Sequence, residues 1–182
     1  MRKMIIATAA SLLVGGAGVL TLAVPAFAAT ASDTPVTVQV NGPAGGGLSI
    51  SAPGSSVLLA TATASVAAQT VTGSLGNVVV TDNRAGNVGW TATVSATNFT
   101  GPQTIPTSVF GNVVYTAPAA TDTGIVTTTA GTQSTLSSGG PVQSATAVSG
   151  VNTATWNPNI AVLLPAGAQA GTYSSTFTHS VA

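Results

Sequence analysis

The sequence predicts an all-β protein that folds as an antiparallel β-sandwich. Apolar residues recur with a period of two along many short stretches, which is the spacing of strands with one buried face. Turn-forming residues separate these stretches at short intervals. Helical spacing is nowhere sustained, and no repeat of fixed period indicates a solenoid or propeller. We therefore expect one domain of the immunoglobulin-like, Greek-key type behind an N-terminal export signal.

Residues 1–28 are typical of a cleaved signal peptide. Arg2 and Lys3 precede an uncharged apolar run that ends at Ala26-Phe27-Ala28, where small residues flank the expected cleavage site. The alternative is a retained membrane helix, but glycines interrupt the run and no positive cluster follows it. We expect a mature chain of residues 29–182 that is secreted and is either released or held at the cell wall.

The mature domain is predicted to begin with an N-terminal strand and a glycine-rich linker in residues 35–47. Val36, Val38 and Val40 alternate with polar residues before the linker. The most flexible loops are expected at 117–124 and 131–141. Further candidate strands are 48–50, 56–64, 69–71, 75–81, 88–97, 109–116, 124–128, 146–149, 153–156, 160–164 and 172–181.

The charge content excludes several classes of function. The 182 residues include six formally charged side chains, no glutamate and no cysteine. Paired-carboxylate glycosidases, thiolate metal sites and basic nucleic-acid binders each need groups that this chain lacks. In the mature chain one arginine stands against three aspartates, a net charge of −2. We predict a protein that is not an enzyme and has no cofactor, metal, nucleic-acid partner or membrane contact after cleavage.

Two strands carry candidate positions that alternate between faces. Trp90 leads a strand whose even positions are apolar and whose odd positions are polar, so its ring is expected in the core. Near the C-terminus, Tyr173 and His179 share one face with Phe177 and Val181. His179, the single histidine, is predicted as a neutral imidazole at the core margin. The alternative role is a ligand or a catalytic base, on which any hydrolase would depend.

Three other residues are candidate structural or binding positions. Asp82 and Arg84 lie in a turn, where the aspartate can accept backbone N–H groups and the arginine can brace it or reach a carbonyl. A ligand-recognising role is the alternative. Trp156 precedes Asn157-Pro158, so its ring either packs in the core or lies near a sheet edge, where it could stack on a sugar.

Three segments resemble the WxL-related domains of secreted bacterial surface proteins: 48–53, the Asp-x-Arg turn and Trp strand of 80–92, and the C-terminal strand of 171–181. Where that family has its two Trp-x-Leu motifs, this chain has Trp90-Thr91-Ala92 and His179-Ser180-Val181. The resemblance implies a β-sandwich on a Gram-positive cell surface that attaches non-covalently to peptidoglycan.

The sequence thus supports two functions for a non-catalytic exported protein. One is association with cell-wall polysaccharide, peptidoglycan or other surface proteins. Because the net charge is low and negative, such wall binding must depend on hydrogen bonds and shape. The alternative is a structural subunit that assembles through sheet edges into a fibre or coat, since few cations protect the edges of its strands.

Overall fold

The computed structural model describes residues 35–44, 46–55 and 57–182. The predicted signal peptide of residues 1–28 and the residue Asp33 lie outside these ranges. Val40–Ala182 forms one compact unit, and residues 35–39 belong to a separate unit. Over the ranges described, no helix has the length and apolar character needed to cross a membrane.

In the part of the chain that the structure describes, ten antiparallel strands form two sheets, which confirms the predicted all-β, sandwich-like fold. Consecutive strands mostly belong to different sheets, so the chain passes repeatedly from one sheet to the other. The strands are β1 (Leu48–Ser51), β2 (Gln69–Ser74), β3 (Val78–Asp82), β4 (Trp90–Ala96), β5 (Val113–Thr116), β6 (Thr121–Ala130), β7 (Thr132–Gln133), β8 (Gly140–Trp156), β9 (Asn159–Leu164) and β10 (Phe177–Val181).

The six-stranded sheet is organised around β8. Strand β3 pairs with its C-terminal part and β4 with its N-terminal part, while β6 pairs with both parts. Strand β6 pairs with the same residues of β8 that pair with β3 or with β4, so β6 must lie on the opposite edge of β8 from both. Strands β3 and β4 therefore lie end to end along one edge of β8. Strand β1 then pairs with β3, and β10 with β4. The smaller sheet has the order β2-β9-β5-β7.

Strand β8 is a single element where the sequence predicted two strands with a gap between them. Ala147, in the first of these predicted strands, and Gly150, in the gap, have positive φ angles of 50° and 71°, and the pairing of β6 shifts register opposite them. On β6, Gly124 has a φ of 83°, and a Cβ atom there would lie 2.5 Å from the carbonyl oxygen of Val151. Paired bulges therefore bend the strand and its neighbour without ending them.

The core lies between the two sheets and follows the period-two pattern. Trp90 is 3% exposed and Trp156 is 2% exposed, so both rings pack in the interior. The predicted position of Trp90 is confirmed, and Trp156 occupies the core rather than a sugar-stacking edge. Other buried core residues include Val78, Val80, Ala92, Val94, Val113, Tyr115, Ala154, Ile160 and Val162.

Several predicted strands are absent or have different bounds. Residues 35–40 and 57–64 form no strand. The second segment lies against β2, where a Cβ atom on Gly73 would be 2.6 Å from the Leu59 Cα, so it packs on the sheet without pairing. The last strand begins at Phe177 rather than residue 172. The predicted loops at 117–124 and 131–141 contain the first residues of β6 and β8 and all of β7.

The buried indole at position 90 predicts a large loss of stability when it is removed. Trp90→Ala is expected to lower the free energy of unfolding by about 3–5 kcal/mol, because the change leaves a cavity between the sheets. Thr93→Ala, on the opposite face of the same strand, is the matched control and should change it by less than about 0.5 kcal/mol. Urea titration would measure both, and equal losses would contradict the assigned faces.

Candidate functional site

Three side chains from three strands form a polar chain across the interior, which we call the inter-sheet triad: Trp156 on β8, Tyr115 on β5 and His179 on β10. The Trp156 Nε1–H group donates to the Tyr115 hydroxyl at 3.0 Å. That hydroxyl lies 3.0 Å from the His179 Nε2 atom. Since the Tyr115 oxygen already accepts from Trp156, its own proton is available to Nε2. The triad therefore joins the smaller sheet to two strands of the larger one.

Burial determines the protonation of the triad. It lowers the pKa of His179 below its usual 6.5, because the imidazolium would lose its hydration. It also raises the pKa of Tyr115 to about 12, although the hydrogen bond from Trp156 opposes this shift. The His179 Nδ1 atom is buried without a partner among the described residues. A neutral imidazole at the core margin, as the sequence predicted, is what this environment favours.

Asp82 and Arg84 form the second polar group, a braced turn between β3 and β4. The Arg84 Nε and Nη2 groups donate to the two carboxylate oxygens of Asp82, each at 2.9 Å. The Arg84 backbone N–H donates to the same carboxylate at 3.0 Å. Nη2 also donates to the carbonyls of Val88 at 3.0 Å and Gly89 at 3.2 Å. The arginine thus braces the aspartate and reaches carbonyl groups, both of which the turn pattern indicated.

The carboxylate of this turn is deeply enclosed. The Asp82 side chain is 2% exposed and that of Arg84 is 31% exposed. Hydrogen bonding from Arg84 holds the pKa of Asp82 below its usual value, against the opposing effect of burial. Asn152, opposite Asp82 on β8, also accepts a long hydrogen bond of 3.4 Å from the Trp90 indole. The turn, the strand β8 and the core tryptophan are therefore linked through polar contacts.

The remaining candidate groups also have internal partners. Asp122 is partly buried on the inward side of β6 and accepts a hydrogen bond from the Thr128 hydroxyl at 2.9 Å. The Tyr173 hydroxyl donates to the carbonyl of Gln169 at 2.9 Å, and its ring packs against the core. Over the described ranges, no group of three or more histidine, cysteine, aspartate or glutamate residues could hold a metal ion.

The structure does not bring the six candidate residues together. Trp156 and His179 meet at Tyr115, whereas Asp82 and Trp90 both contact Asn152. Arg84 is bonded to Asp82, and Tyr173 is bonded to Gln169. Sequence reasoning missed the central position of Tyr115. The signal for it was its parity with Val113 in the predicted strand 109–116, which places both residues inward.

The outer face of the six-stranded sheet, which we call the hydroxyl face, is covered by serine and threonine. On this face, paired residues of four neighbouring strands form a continuous row of hydroxyl groups. Asp82 and Asp122 both point to the opposite side of the sheet. Apolar residues on this face include Val79, Ile125, Pro141 and Val151. The row consists of Ser49, Thr81, Thr153 and Thr123. The wider face adds Ser51, Thr91, Thr93, Ser95, Thr121, Thr129, Ser144, Thr155, Thr178 and Ser180.

Concave features on the described surface are shallow. One open depression of about 240 Å³ lies between the end of β4 and the approach to β10, lined by Thr97, Asn98, Thr100 and residues 174–176. Another of about 220 Å³ lies beside Ser95 and Gly139. Neither contains a member of the triad or the braced turn.

No family model, curated protein or solved structure matches this chain.

The braced turn predicts that Arg84 contributes to stability through Asp82. Arg84→Gln should lower the free energy of unfolding by about 2–3 kcal/mol at pH 7, because it leaves a buried carboxylate without its charged partner. The partial exposure of Arg84 keeps the loss moderate. The double variant Asp82→Asn/Arg84→Gln should be more stable than Arg84→Gln alone. A loss below about 0.5 kcal/mol in chemical denaturation would contradict this role.

The buried imidazole predicts a loss of stability in mild acid. In the unfolded chain His179 takes up a proton as pH falls through about 6.5, while its lowered pKa keeps it neutral in the folded chain. Stability is therefore fully present above this pH and declines below it. The Asp82 contribution is lost only at lower pH, around and below 3.8. Unfolding midpoints between pH 7.5 and pH 5 should fall in the native chain.

His179→Gln separates this titration from other acid effects. Glutamine keeps a polar partner for Tyr115 but does not titrate, so the variant should show a flatter midpoint profile over the same pH range. An unchanged slope would show that the imidazole is not responsible.

Proposed function

We propose that the protein is a non-catalytic exported surface protein that associates with neutral, hydroxyl-rich polysaccharide of the cell wall through the hydroxyl face. The observation that carries this proposal is the uncharged character of that face, which spans the strands of the larger sheet. Hydroxyl groups both donate and accept hydrogen bonds, so they suit a polymer that also presents hydroxyl and amide groups.

The internal use of the titratable side chains supports the same proposal. Asp82 and Arg84 neutralise each other, Asp122 points inward, and His179 and Tyr115 are joined in the core. A binding surface on this domain therefore has little charge with which to attract a charged partner over distance. The resemblance of 80–92 and 171–181 to WxL-related domains is a further argument for the wall.

Export is the first part of this proposal to test. Producing cells are fractionated into wall, membrane and medium, and the mass of the mature chain is measured. We expect a mass that corresponds to residues 29–182, with protein in the wall fraction and the medium. An uncleaved chain in the membrane fraction would refute both the predicted signal-peptide cleavage and the proposed location outside the membrane.

Wall binding is tested by sedimentation with purified cell walls at low and high salt. Because hydrogen bonds and shape should carry the contact, the bound fraction should change by less than about twofold between about 0.05 M and 0.5 M salt. A strong decline with salt would show that charge carries the binding instead.

A matched pair of variants then locates the surface. Thr153→Glu places a charged side chain in the middle of the hydroxyl row and should weaken wall binding by about tenfold or more. Thr72→Glu, on the exposed outer side of β2 in the other sheet, should leave it within about twofold. Unfolding midpoints of both variants control for stability. Equal effects would place the binding surface elsewhere.

A further inference from the structure

Strand β6 bends sharply at its midpoint. Asp122 and Thr128 lie six residues apart, yet the Thr128 hydroxyl donates to the Asp122 carboxylate at 2.9 Å on the inner side of the sheet. A straight strand would separate the two residues by about 20 Å. Gly124, with a φ of 83°, lies within the bend. Ile125 is midway between the two bonded residues, and it points outward and is 64% exposed.

The outer edge of β6 is open to another strand. Among the described residues, β6 pairs with β8 alone. Its ten residues include no lysine, arginine or proline that would block the pairing of a further strand. Its one charged residue, Asp122, points inward and is bonded to Thr128. Neither charge nor proline therefore protects this edge.

The hydrogen bonds between β6 and β8 show which residues of β6 face the open edge. The Gly131 N–H group donates to the Val142 carbonyl at 2.9 Å, and this pair continues the register of the two strands. In an antiparallel ladder the direction of the backbone groups alternates from one residue to the next. Thr128, three residues before Gly131, therefore directs its N–H and C=O groups to the open edge. Asp122 shares the inward face with Thr128, so its backbone groups point the same way.

We propose that two copies of this chain pair antiparallel through their β6 edges, about a two-fold axis at Ile125. An axis at the bend places the bends of the two strands side by side, so both arms of each strand can pair. In this register Asp122 lies opposite Thr128 of the second copy, and both direct backbone groups to the shared edge. About eight main-chain hydrogen bonds would join the copies. Because each copy uses the same edge, the assembly closes as a dimer.

The outward side chains of β6 support this register. Ile125 lies opposite Ile125 of the second copy, at a pair without mutual hydrogen bonds, where side chains approach most closely. Two exposed isoleucines would thus cover each other. Beside them, Thr123 lies opposite Thr127 of the second copy. Thr121 lies opposite Thr129 in the same way, and such threonine pairs can form hydrogen bonds across the strands.

The other terminal strands of the two sheets offer shorter edges. Strand β2 has six residues, β10 has five, β1 has four and β7 has two. The predicted mature chain has a net charge of only −2, so repulsion between two copies is small. The dimer does not depend on the proposed wall binding. It would place the hydroxyl faces of two copies on the same side of one continuous sheet.

Sedimentation velocity of the purified protein at increasing concentration tests the dimer. The native chain should form dimers and no larger species. Ile125→Lys places two cations opposite each other at the axis and should raise the dissociation constant of the dimer by at least about tenfold. Thr178→Lys, at an exposed position of β10 on the other edge of the sheet, is the matched control and should leave it within about twofold.

Unfolding midpoints of both lysine variants control for stability. A native chain that stays monomeric up to about 1 mM, or that forms larger species, would overturn the proposal. Equal effects of the two substitutions would overturn it as well.

Cysteine cross-linking tests the register, since the chain has no cysteine of its own. Under mild oxidation, Ile125→Cys should form disulfide-linked dimers at least about tenfold faster than Thr129→Cys, because the thiols at position 125 face each other across the axis. Those at position 129 face residue 121 instead, so a mixture of Thr121→Cys and Thr129→Cys chains should cross-link faster than Thr129→Cys alone. Equal rates for Ile125→Cys and Thr129→Cys, or no gain in the mixture, would overturn the proposal.

Discussion

Backbone pairing along β8 is the constraint on which the larger sheet depends. Three strands pair with it directly, and two of them, β3 and β4, share one of its edges. Two strands placed end to end need a connection that stays close to that edge, and the braced turn provides it. The Gly150 N–H group donates to the Gly86 carbonyl at 2.8 Å where β8 bends. The Asp82–Arg84 pair therefore stabilises the connection between β3 and β4.

Among the described residues, most of the few ionisable side chains hold the structure together. The braced turn fixes a connection, and the inter-sheet triad holds the two sheets in a fixed relation by a directional contact that apolar packing lacks. Little charge is left to select a partner at a distance. Any selectivity of the surface must then come from hydroxyl groups, backbone edges and the spacing of strands.

Much of the fold could be predicted from residue parity, because period-two alternation directly reports which face is buried. It placed Trp90 and the His179 face correctly. Alternation also predicted a strand at residues 36–40, to which the structure assigns no strand. It also missed the continuity of β8, where positive φ angles at Ala147 and Gly150 preserve the strand through an irregular sequence. The inter-sheet triad is formed by residues of two different sheets, and no local sequence pattern shows which residues of the two sheets will meet.

The long separation in sequence between contacting segments affects how the chain folds. The triad joins residues 64 positions apart, and Thr97 meets Ser175 across 78 positions. Contacts of such long separation form slowly, because a large loop must close before any contact repays its entropy. A chain synthesised from its N-terminus would thus complete its larger sheet only after its last strand emerged. Such late completion would suit the export that we propose, because an incompletely folded chain can pass through a narrow translocation pore.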